Sequence, residues 1–154
     1  MTPITLRPAR PEDVRLLFEW ANDPSVRAVA YRPDPIPWED HERWFAARLA
    51  SDATRLYVAE TDGEPVGQIR FEAAHGVAVL SVSLAARARG RGVGTRLIRA
   101  GTDRLFADTT VREVQAYVRD DNPASARAFE KAGFVLDGPV VEQGVPSRRF
   151  VDRR

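Results

Sequence analysis

Three glycines and two arginines lie together at the end of the most apolar segment of the chain. The run Arg89-Gly90-Arg91-Gly92-Val93-Gly94 follows Val77–Leu84 and leads into a segment with apolar residues at helical spacing. A strand that ends in glycines and opens a helix leaves backbone N–H groups unpaired, and the helix dipole adds positive charge at the same place. The pattern therefore predicts a phosphate-binding turn over residues 89–95, here called the glycine turn.

Two common phosphate motifs fit the glycine turn poorly. A dinucleotide fingerprint needs a third glycine where the chain has Thr95, and no series of βαβ units follows it. A P-loop needs a lysine before the hydroxyl residue, and Gly94 occupies that position. A plain strand-to-helix connection would need one glycine rather than three. We therefore expect a pyrophosphate loop of another kind.

The elements that must position this turn follow from hydrophobic periodicity and from turn signals. A central apolar strand, a crossover helix and a following strand predict one parallel pair in a mostly antiparallel sheet, which gives an α/β (α+β) domain with six to seven strands and about four helices. The predicted strands are Ile4–Arg7, Arg55–Glu60, Val66–Glu72, Val77–Leu84, Glu113–Val118, Phe134–Leu136 and Arg148–Val151, and the helices are residues 11–21, Trp38–Ala50, Gly92–Asp108 and Pro123–Ala132, with a helical turn in Ser25–Ala30.

Length and composition limit the classes of function. The 154 residues suit one domain over 1–154, and the formal net charge of +1 gives no bulk attraction to nucleic acid or to an anionic membrane. The chain has no cysteine, so a Cys-based zinc site is excluded, and no metal site is predicted. We expect a cytoplasmic protein, because the first residues lack the apolar segment of a signal peptide. We expect it to be a monomer or a homodimer.

Two motifs resemble the GCN5-related N-acetyltransferase (GNAT) family. Arg89, Gly92 and Gly94 match its R-x-x-G-x-G loop for acetyl-CoA, and the segment from Asn122 to Phe134 matches its later Asn-helix-Lys-x-Gly-Phe pattern. The predicted order of elements is also similar along the whole chain. The resemblance implies an acetyl-CoA-dependent N-acetyltransferase with a small-molecule amine as its partner, in which the central parallel pair is splayed.

The resemblance also implies which residues hold coenzyme A. Its pyrophosphate would lie on the backbone of the glycine turn, and its pantetheine arm would pair with the end of the central strand. The implied cofactor-binding residues are Val82, Ser83, Leu84, Arg89, Gly90, Arg91, Gly92, Val93, Gly94, Thr95, Asn122, Ser125, Phe129 and Lys131.

Proton transfer is where the sequence departs from the family. The resemblance implies direct attack of the amine on the thioester, with a backbone N–H near Val82 polarising the carbonyl. Many members have a tyrosine seven residues after the motif asparagine, and Phe129 stands there instead. Ser125 or water is then the expected proton donor. The central strand has no carboxylate, so we expect Glu72, His75 or His41 to act as a base through water, or an acceptor amine with a low pKa.

The amino-terminal half carries a finer resemblance. The segments Leu6–Pro8, Trp20–Arg27, Ile36–His41 and Trp44-Phe45 resemble acetyltransferases of 4-amino sugars on nucleotides in the pseudaminic acid pathway. Similar Trp-x-Asn-Asp-Pro segments occur in ribosomal-protein and aminoglycoside acetyltransferases. An amino sugar is the expected acceptor, with a protein N-terminus, an aminoglycoside or a non-catalytic acyl-CoA sensor as alternatives. The expected substrate-binding residues are Arg27, Tyr31, His41 and Trp44.

Overall fold

The computed structural model describes residues 2–154 and contains seven strands and five α-helices. Two 3-10 turns, Pro11–Asp13 and Ala86–Ala88, precede α1 and the glycine turn respectively. In chain order, the elements are β1 (Thr5–Pro8), α1 (Val14–Ala21), α2 (Pro24–Ala28), α3 (Trp38–Ala50), β2 (Thr54–Thr61), β3 (Glu64–Ala74), β4 (Val77–Leu84), α4 (Val93–Asp108), β5 (Glu113–Arg119), α5 (Pro123–Lys131), β6 (Val135–Glu142) and β7 (Val145–Arg153).

All seven strands form one sheet in the order β1-β2-β3-β4-β5-β7-β6. Every neighbouring pair is antiparallel except β4 and β5, which run parallel. The crossover through α4 explains this exception, because a parallel connection needs a long link between the strands. The predicted fold class is confirmed, and the additional helix is α2, where the sequence predicted a helical turn.

The parallel pair separates soon after it begins. Residues Val77–Val79 pair with Glu113–Gln115, whereas β4 remains paired with β3 as far as Leu84. The second half of β5 pairs only with β7. The carboxyl-terminal half of β4 therefore has one edge without a strand partner, and a gap opens between β4 and β5.

Helices cover both faces of the sheet. Alternate residues of β2 accordingly point into two apolar clusters, one on each face. Tyr57 and Ala59 belong to the large cluster that contains the buried face of α4, and Val58 belongs to a smaller one with Leu17 of α1 and Phe45 of α3. The sheet thus holds α4 on one face and α1 with α3 on the other.

The last two strands are longer than the periodicity predicts. Gly138 and Pro139 interrupt the apolar pattern, which predicted a strand ending at Leu136. β6 is the outermost strand, where a proline costs no ladder hydrogen bond on the open side, and it continues to Glu142 with a register shift between Leu136 and Gly138.

No helix of residues 2–154 is long and apolar enough to cross a bilayer.

Candidate active site

The gap between β4 and β5 opens into a cleft of about 720 Å³. One wall comes from the sheet and α5, and the other from α1, α2, α3 and the segment Val29–Pro37, here called the acceptor loop. The lining residues are Leu17, Ala21, Val26, Arg27, Val29, Ala30, Tyr31, Arg32, Asp34, Pro35, Ile36, Pro37, Asp40, His41, Trp44, Gln68, Arg70, Leu80, Ser81, Val82, Ser83, Tyr117, Asn122, Ser125 and Phe129.

The glycine turn presents backbone rather than side chains. Gly90 and Gly92 both have a φ of +74°, which L side chains rarely adopt, and a Cβ at either position would meet nothing within 4 Å. Gly92 is the N-cap of α4 and offers no side chain to cap it. The first N–H groups of this 16-residue helix therefore have no side-chain cap, which fits the binding of a pyrophosphate.

Arg89 binds the protein instead of extending from the turn. Its guanidinium donates to the Leu84 carbonyl at 3.1 Å, contacts the Ser25 hydroxyl, and lies 3.5 Å from the Asp23 carboxylate. Hydrogen bonds from Ser25, together with this Arg89 charge, lower the pKa of Asp23. Arg89 thus ties the glycine turn to the N-terminus of α2, and Arg91 is the exposed cation of the turn.

The end of β4 divides between the cleft and the core. Val82 and Ser83 line the cleft, whereas Leu84 does not. The Leu84 side chain instead lies against the positions of Gly67 and Gly94, with methyl carbons 2.9 and 3.5 Å from where a Cβ would stand. The cleft therefore reaches along β4 from Leu80 as far as Ser83.

Four predicted cofactor residues lie on α5 or at its start, and three of them line the cleft. Asn122 caps the helix, accepting the Ser125 N–H at 3.3 Å. Phe129 is buried and packs against Phe134 and Phe150. Lys131 is exposed at the far end of α5, outside the cleft lining.

Arg27 and Tyr31 line the cleft, but their polar groups are bound within the protein. Arg27 donates to the carbonyls of Ala21 and Arg32, each at 2.7 Å, and burial lowers its pKa. The Tyr31 hydroxyl lies 2.8 Å from the Ser147 hydroxyl of β7. These two residues hold the acceptor loop in place.

His41 and Trp44 lie in one aromatic cluster on α3. His41 is buried, and its Nε2 lies 2.8 Å from the Val14 carbonyl, so this nitrogen carries the proton and donates it to α1. Its ring stacks on Phe45. Trp44 is half-buried and supports the guanidinium of Arg70, which lies 4.9 Å from the ring centroid.

The structure does not bring Glu72 or His75 into the cleft. Glu72 forms ion pairs with Arg48 and Arg70, and His75 is an exposed residue with a φ of +53° in the β3–β4 turn. That turn lies at the start of β4, whereas the gap lies at its end. Of the four side chains predicted to transfer protons, Ser125 and His41 line the cleft, and Glu72 and His75 do not.

The polar side chains of the cleft that the sequence predictions missed include Gln68, Arg70 and Tyr117. Gln68 donates to the Ser83 hydroxyl at 2.9 Å, and Arg70 donates to the Ser81 hydroxyl at 3.1 Å across the β3–β4 pair. The alternation of polar residues along β3 carried this signal, since every second residue faces one side of a sheet.

The sequence also matches a known protein family. The model of the acetyltransferase (GNAT) domain matches residues 4–135. The chain belongs to this GNAT family. The protein is therefore an acyltransferase, and its acyl donor is acetyl-CoA.

Known relatives match this GNAT enzyme over nearly its whole length. An aminoglycoside N(6')-acetyltransferase type 1 of Klebsiella pneumoniae is 29% identical over 167 residues, covering 98% of this chain and 83% of the relative. A solved structure of AAC(6')-Ib with ribostamycin and coenzyme A has a TM-score of 0.87 and 27% identity, covering 98% of this chain and 93% of that one.

The fold is shared more widely. Spermidine N-acetyltransferase of Vibrio cholerae, solved with CoA and spermine, has a TM-score of 0.87 at 20% identity and covers 97% of this GNAT chain and 95% of its own. The relatives named here are aminoglycoside and spermidine acetyltransferases. They do not support the finer resemblance to the pseudaminic acid pathway that the amino-terminal half suggested.

The residues of this GNAT enzyme fit acetyl-CoA. Uncapped N–H groups at the start of α4 suit a pyrophosphate, and the open edge of β4 offers backbone groups to an extended pantetheine arm. Phe129 has no hydroxyl, so it cannot donate the proton that the sequence resemblance assigns to a tyrosine at this position. Any proton donor must therefore lie elsewhere in the cleft.

Proposed function

We propose that this enzyme acetylates a primary amine of a small molecule, an amino sugar or a nucleotide-linked amino sugar, by direct attack within a ternary complex. The observation that carries this proposal is the continuity of the cleft. The same cavity reaches the open edge of β4 and the acceptor loop. Donor and acceptor can therefore meet without an acyl-enzyme, and no cysteine is available to form one.

The donor side of the proposal rests on backbone groups. Bound acetyl-CoA supplies an activated acetyl thioester. Residues Gly90–Thr95 would hold its pyrophosphate, and Val82 and Ser83 would orient its arm through main-chain hydrogen bonds. A backbone N–H near Val82 would polarise the carbonyl, as fixed donors stabilise developing negative charge in acyl transfer. Asn122 and Ser125 close this side of the cleft.

The acceptor amine must be neutral to attack. The carboxylates of the cleft, Asp34 and Asp40, are exposed at its rim, and the Nε2 of His41 is bound to the Val14 carbonyl. No buried carboxylate thus lines the cleft among residues 2–154, and Nδ1 of His41 is left as its buried basic nitrogen. An amine with a pKa near 7.7 to 8.0 costs about 1 kcal/mol to deprotonate at pH 7, against about 4 to 5 kcal/mol for a lysine-like amine at 10.4. These costs favour an acceptor of low pKa.

The departing thiolate needs little assistance. A thiol with a pKa of about 8.5 is a tolerable leaving group near neutrality. The Ser125 hydroxyl lines the cleft at the start of α5, and it can pass a proton from water to the sulfur.

Aromatic and polar groups both line the cleft. Trp44 of α3 and Tyr117 of β5 provide aromatic rings, and Gln68 and Ser81 of the sheet provide hydrogen-bonding groups. A sugar ring combines an apolar face with equatorial polar groups and suits such a lining. Aminoglycosides are themselves amino sugars, so the relative from Klebsiella pneumoniae also supports this acceptor class.

Thiol release from acetyl-CoA tests the proposal. Sugar amines, aminoglycosides, polyamines and N-terminal peptides would be offered at equal concentration, and acetylated products would be identified by mass spectrometry. We expect sugar amines to accelerate thiol release above the rate without acceptor. Preference for peptides would contradict the small-molecule assignment, and no acceleration by any amine would contradict the proposed function as a whole.

A further inference from the structure

We infer that the acceptor amine also carries an anionic group, a carboxylate or a phosphate, and that Arg70 binds this group in the cleft. The inference rests on the proposed function and adds a requirement to it. It concerns the only charged side chain that the sheet directs into the cleft among residues 2–154, since the other lining cations and acids come from α2, α3 and the acceptor loop.

Arg70 is held at the cleft wall by two contacts. It lies on β3 directly opposite Ser81, and its Nη2 donates to the Ser81 hydroxyl at 3.1 Å. The face of Trp44 lies 4.9 Å from the centre of its guanidinium. Its side chain keeps 21% of its surface exposed. A planar guanidinium fixed in this way is suited to bind an oxyanion, because little side-chain entropy is left to lose.

The positive charge of Arg70 is incompletely compensated within the protein. Its nearest carboxylate, Glu72, lies 3.5 Å from Nε and is shared with Arg48, so two guanidinium groups face one acid. The Nε atom is buried and forms no hydrogen bond with residues 2–154. Burial lowers the pKa of Arg70, and the Arg48 charge acts in the same direction. An incompletely paired, largely buried cation is costly, and a bound anion would reduce that cost.

The other charges of the cleft do not offset Arg70. Arg27 is bound to backbone carbonyls, and Arg32, Asp34 and Asp40 are exposed. Asp40 also forms an ion pair at 2.6 Å with Arg43, a residue that does not line the cleft. A polycationic acceptor would therefore meet a cation and no buried carboxylate next to the reacting amine. An acceptor with an oxyanion near its amine would meet a complementary charge.

Paired acceptors that differ in one anionic group test the inference. Comparison of glucosamine 6-phosphate with glucosamine tests for recognition of a phosphate. Comparison of glycine with glycinamide tests for recognition of a carboxylate. For at least one pair, we expect the anionic member to have a kcat/KM about 10-fold to 100-fold higher, mostly through KM, as befits one charged hydrogen-bonded contact. The pair whose anionic member is preferred identifies whether the site binds a phosphate or a carboxylate.

Variants of Arg70 show whether the preference comes from this residue. Arg70→Gln should remove the difference between the pair members and leave the KM for acetyl-CoA unchanged, and Arg70→Lys should retain part of it through the remaining charge. Arg55→Gln removes an equal charge from the exposed side of the neighbouring strand β2 and should change neither value. Equal losses for both members in Arg70→Gln would indicate a structural role and overturn the inference.

The failure of the inference is distinguishable from failure of the proposed function. Faster acetylation of glucosamine, glycinamide or spermidine than of both anionic probes would overturn the inference while supporting the N-acetyltransferase. If no amine is acetylated, the proposed function fails. Calorimetric titration of the CoA-bound enzyme with the two anionic probes then decides the inference separately, and absence of Arg70-dependent binding overturns it.

Discussion

Polar side chains of the cleft differ in whether their hydrogen-bonding groups are bound within the protein. Arg27, Tyr31 and His41 bond to carbonyl or hydroxyl groups of other elements. Arg70 and Ser125 keep part of their groups on the cleft side. Replacement of the first kind should therefore change stability before it changes catalysis, and replacement of the second kind should do the reverse.

His41→Ala tests this distinction at the residue expected from sequence to bind substrate. The substitution removes the hydrogen bond to Val14 and the stacking on Phe45, so we expect a loss of about 2–4 kcal/mol in the free energy of unfolding. Urea unfolding measures this loss, and the KM for acceptor should stay within about threefold of wild type. Glu42→Ala, an exposed position on the same helix, is the control. A raised KM without lost stability would indicate contact with substrate.

Asp13→Asn tests an ion pair that fixes the start of α1. Asp13 is buried; this burial raises its pKa, but hydrogen bonds from Arg7 and from the Arg10 N–H outweigh burial and lower it overall. A lowered folded-state pKa contributes stability above the unfolded pKa of about 3.9, and this stability disappears as the pH falls through the folded value. Asp13→Asn should therefore be less stable by about 1–3 kcal/mol at pH 7.

Urea unfolding of wild type and Asp13→Asn between about pH 7 and pH 2.5 measures this difference. The two stabilities should converge below the unfolded pKa. Asp62→Asn, at an exposed turn, controls for loss of one carboxylate. A difference that stays constant with pH would contradict the ionic origin of the effect.

At the scale of elements, the glycine turn and α4 form one unit. The turn has room for side chains, yet its backbone conformation favours glycine at two positions. On the opposite side of the same helix, Gly101 lies so close to the sheet that a Cβ would stand 2.7 Å from a carbon of Ile69. Close packing of α4 on β3 thus fixes where the N-terminus of the helix points.

Gly92→Ala tests whether an added methyl group in the glycine turn weakens cofactor binding beyond its effect on backbone conformation. The positive φ should cost about 1–2 kcal/mol for alanine, and the added methyl group would stand beside the first N–H groups of α4. We expect a rise of about 10-fold in the KM for acetyl-CoA in steady-state kinetics, with an unchanged KM for acceptor. Gly63→Ala is the matched control, because Gly63 has a φ of +78° and equally open surroundings in the β2–β3 hairpin. An equal change in both variants would contradict a role for Gly92 in binding.

At the scale of the whole molecule, hydrogen bonds between distant segments join the two walls of the cleft. Arg89 connects the glycine turn to Asp23, and Arg119 of β5 donates to the Ala30 carbonyl at 2.6 Å. The hydroxyl pair of Tyr31 and Ser147 spans 116 positions of the sequence. The acceptor loop is therefore held against the donor side in the free protein.

The pH dependence of catalysis follows from the composition of the whole cleft. Without a buried carboxylate in the cleft among residues 2–154, the neutral fraction of the amine sets the rate of attack. The kcat/KM for acceptor should therefore rise about tenfold per pH unit below the pKa of the amine and level off above it. Two acceptors whose amines differ in pKa, assayed between about pH 6 and pH 9.5 at saturating acetyl-CoA, should level off at different pH values. A common plateau would instead reveal a base of the enzyme.

Local patterns in the sequence determined most of the elements and predicted where the donor binds. Helix α3 begins and ends at the predicted residues, and so does β4, because caps, prolines and periodicity act over a few neighbouring positions. The glycine turn was predicted for the same reason, since its chemistry depends on consecutive backbone groups. The GNAT family and acetyl-CoA as its donor followed from this motif and are confirmed.

Only the tertiary structure decided which side chains face the cleft. Arg70 and Glu72 are two positions apart on β3 and share one face, yet the cleft reaches Arg70 and stops short of Glu72, because β4 and β5 separate beyond Val79. The sequence does not show whether His41 is exposed, and only packing against α1 buries it and supplies the carbonyl that binds its Nε2. Strand register and long-range partners determine such outcomes, and these arise from packing between segments rather than from neighbouring residues.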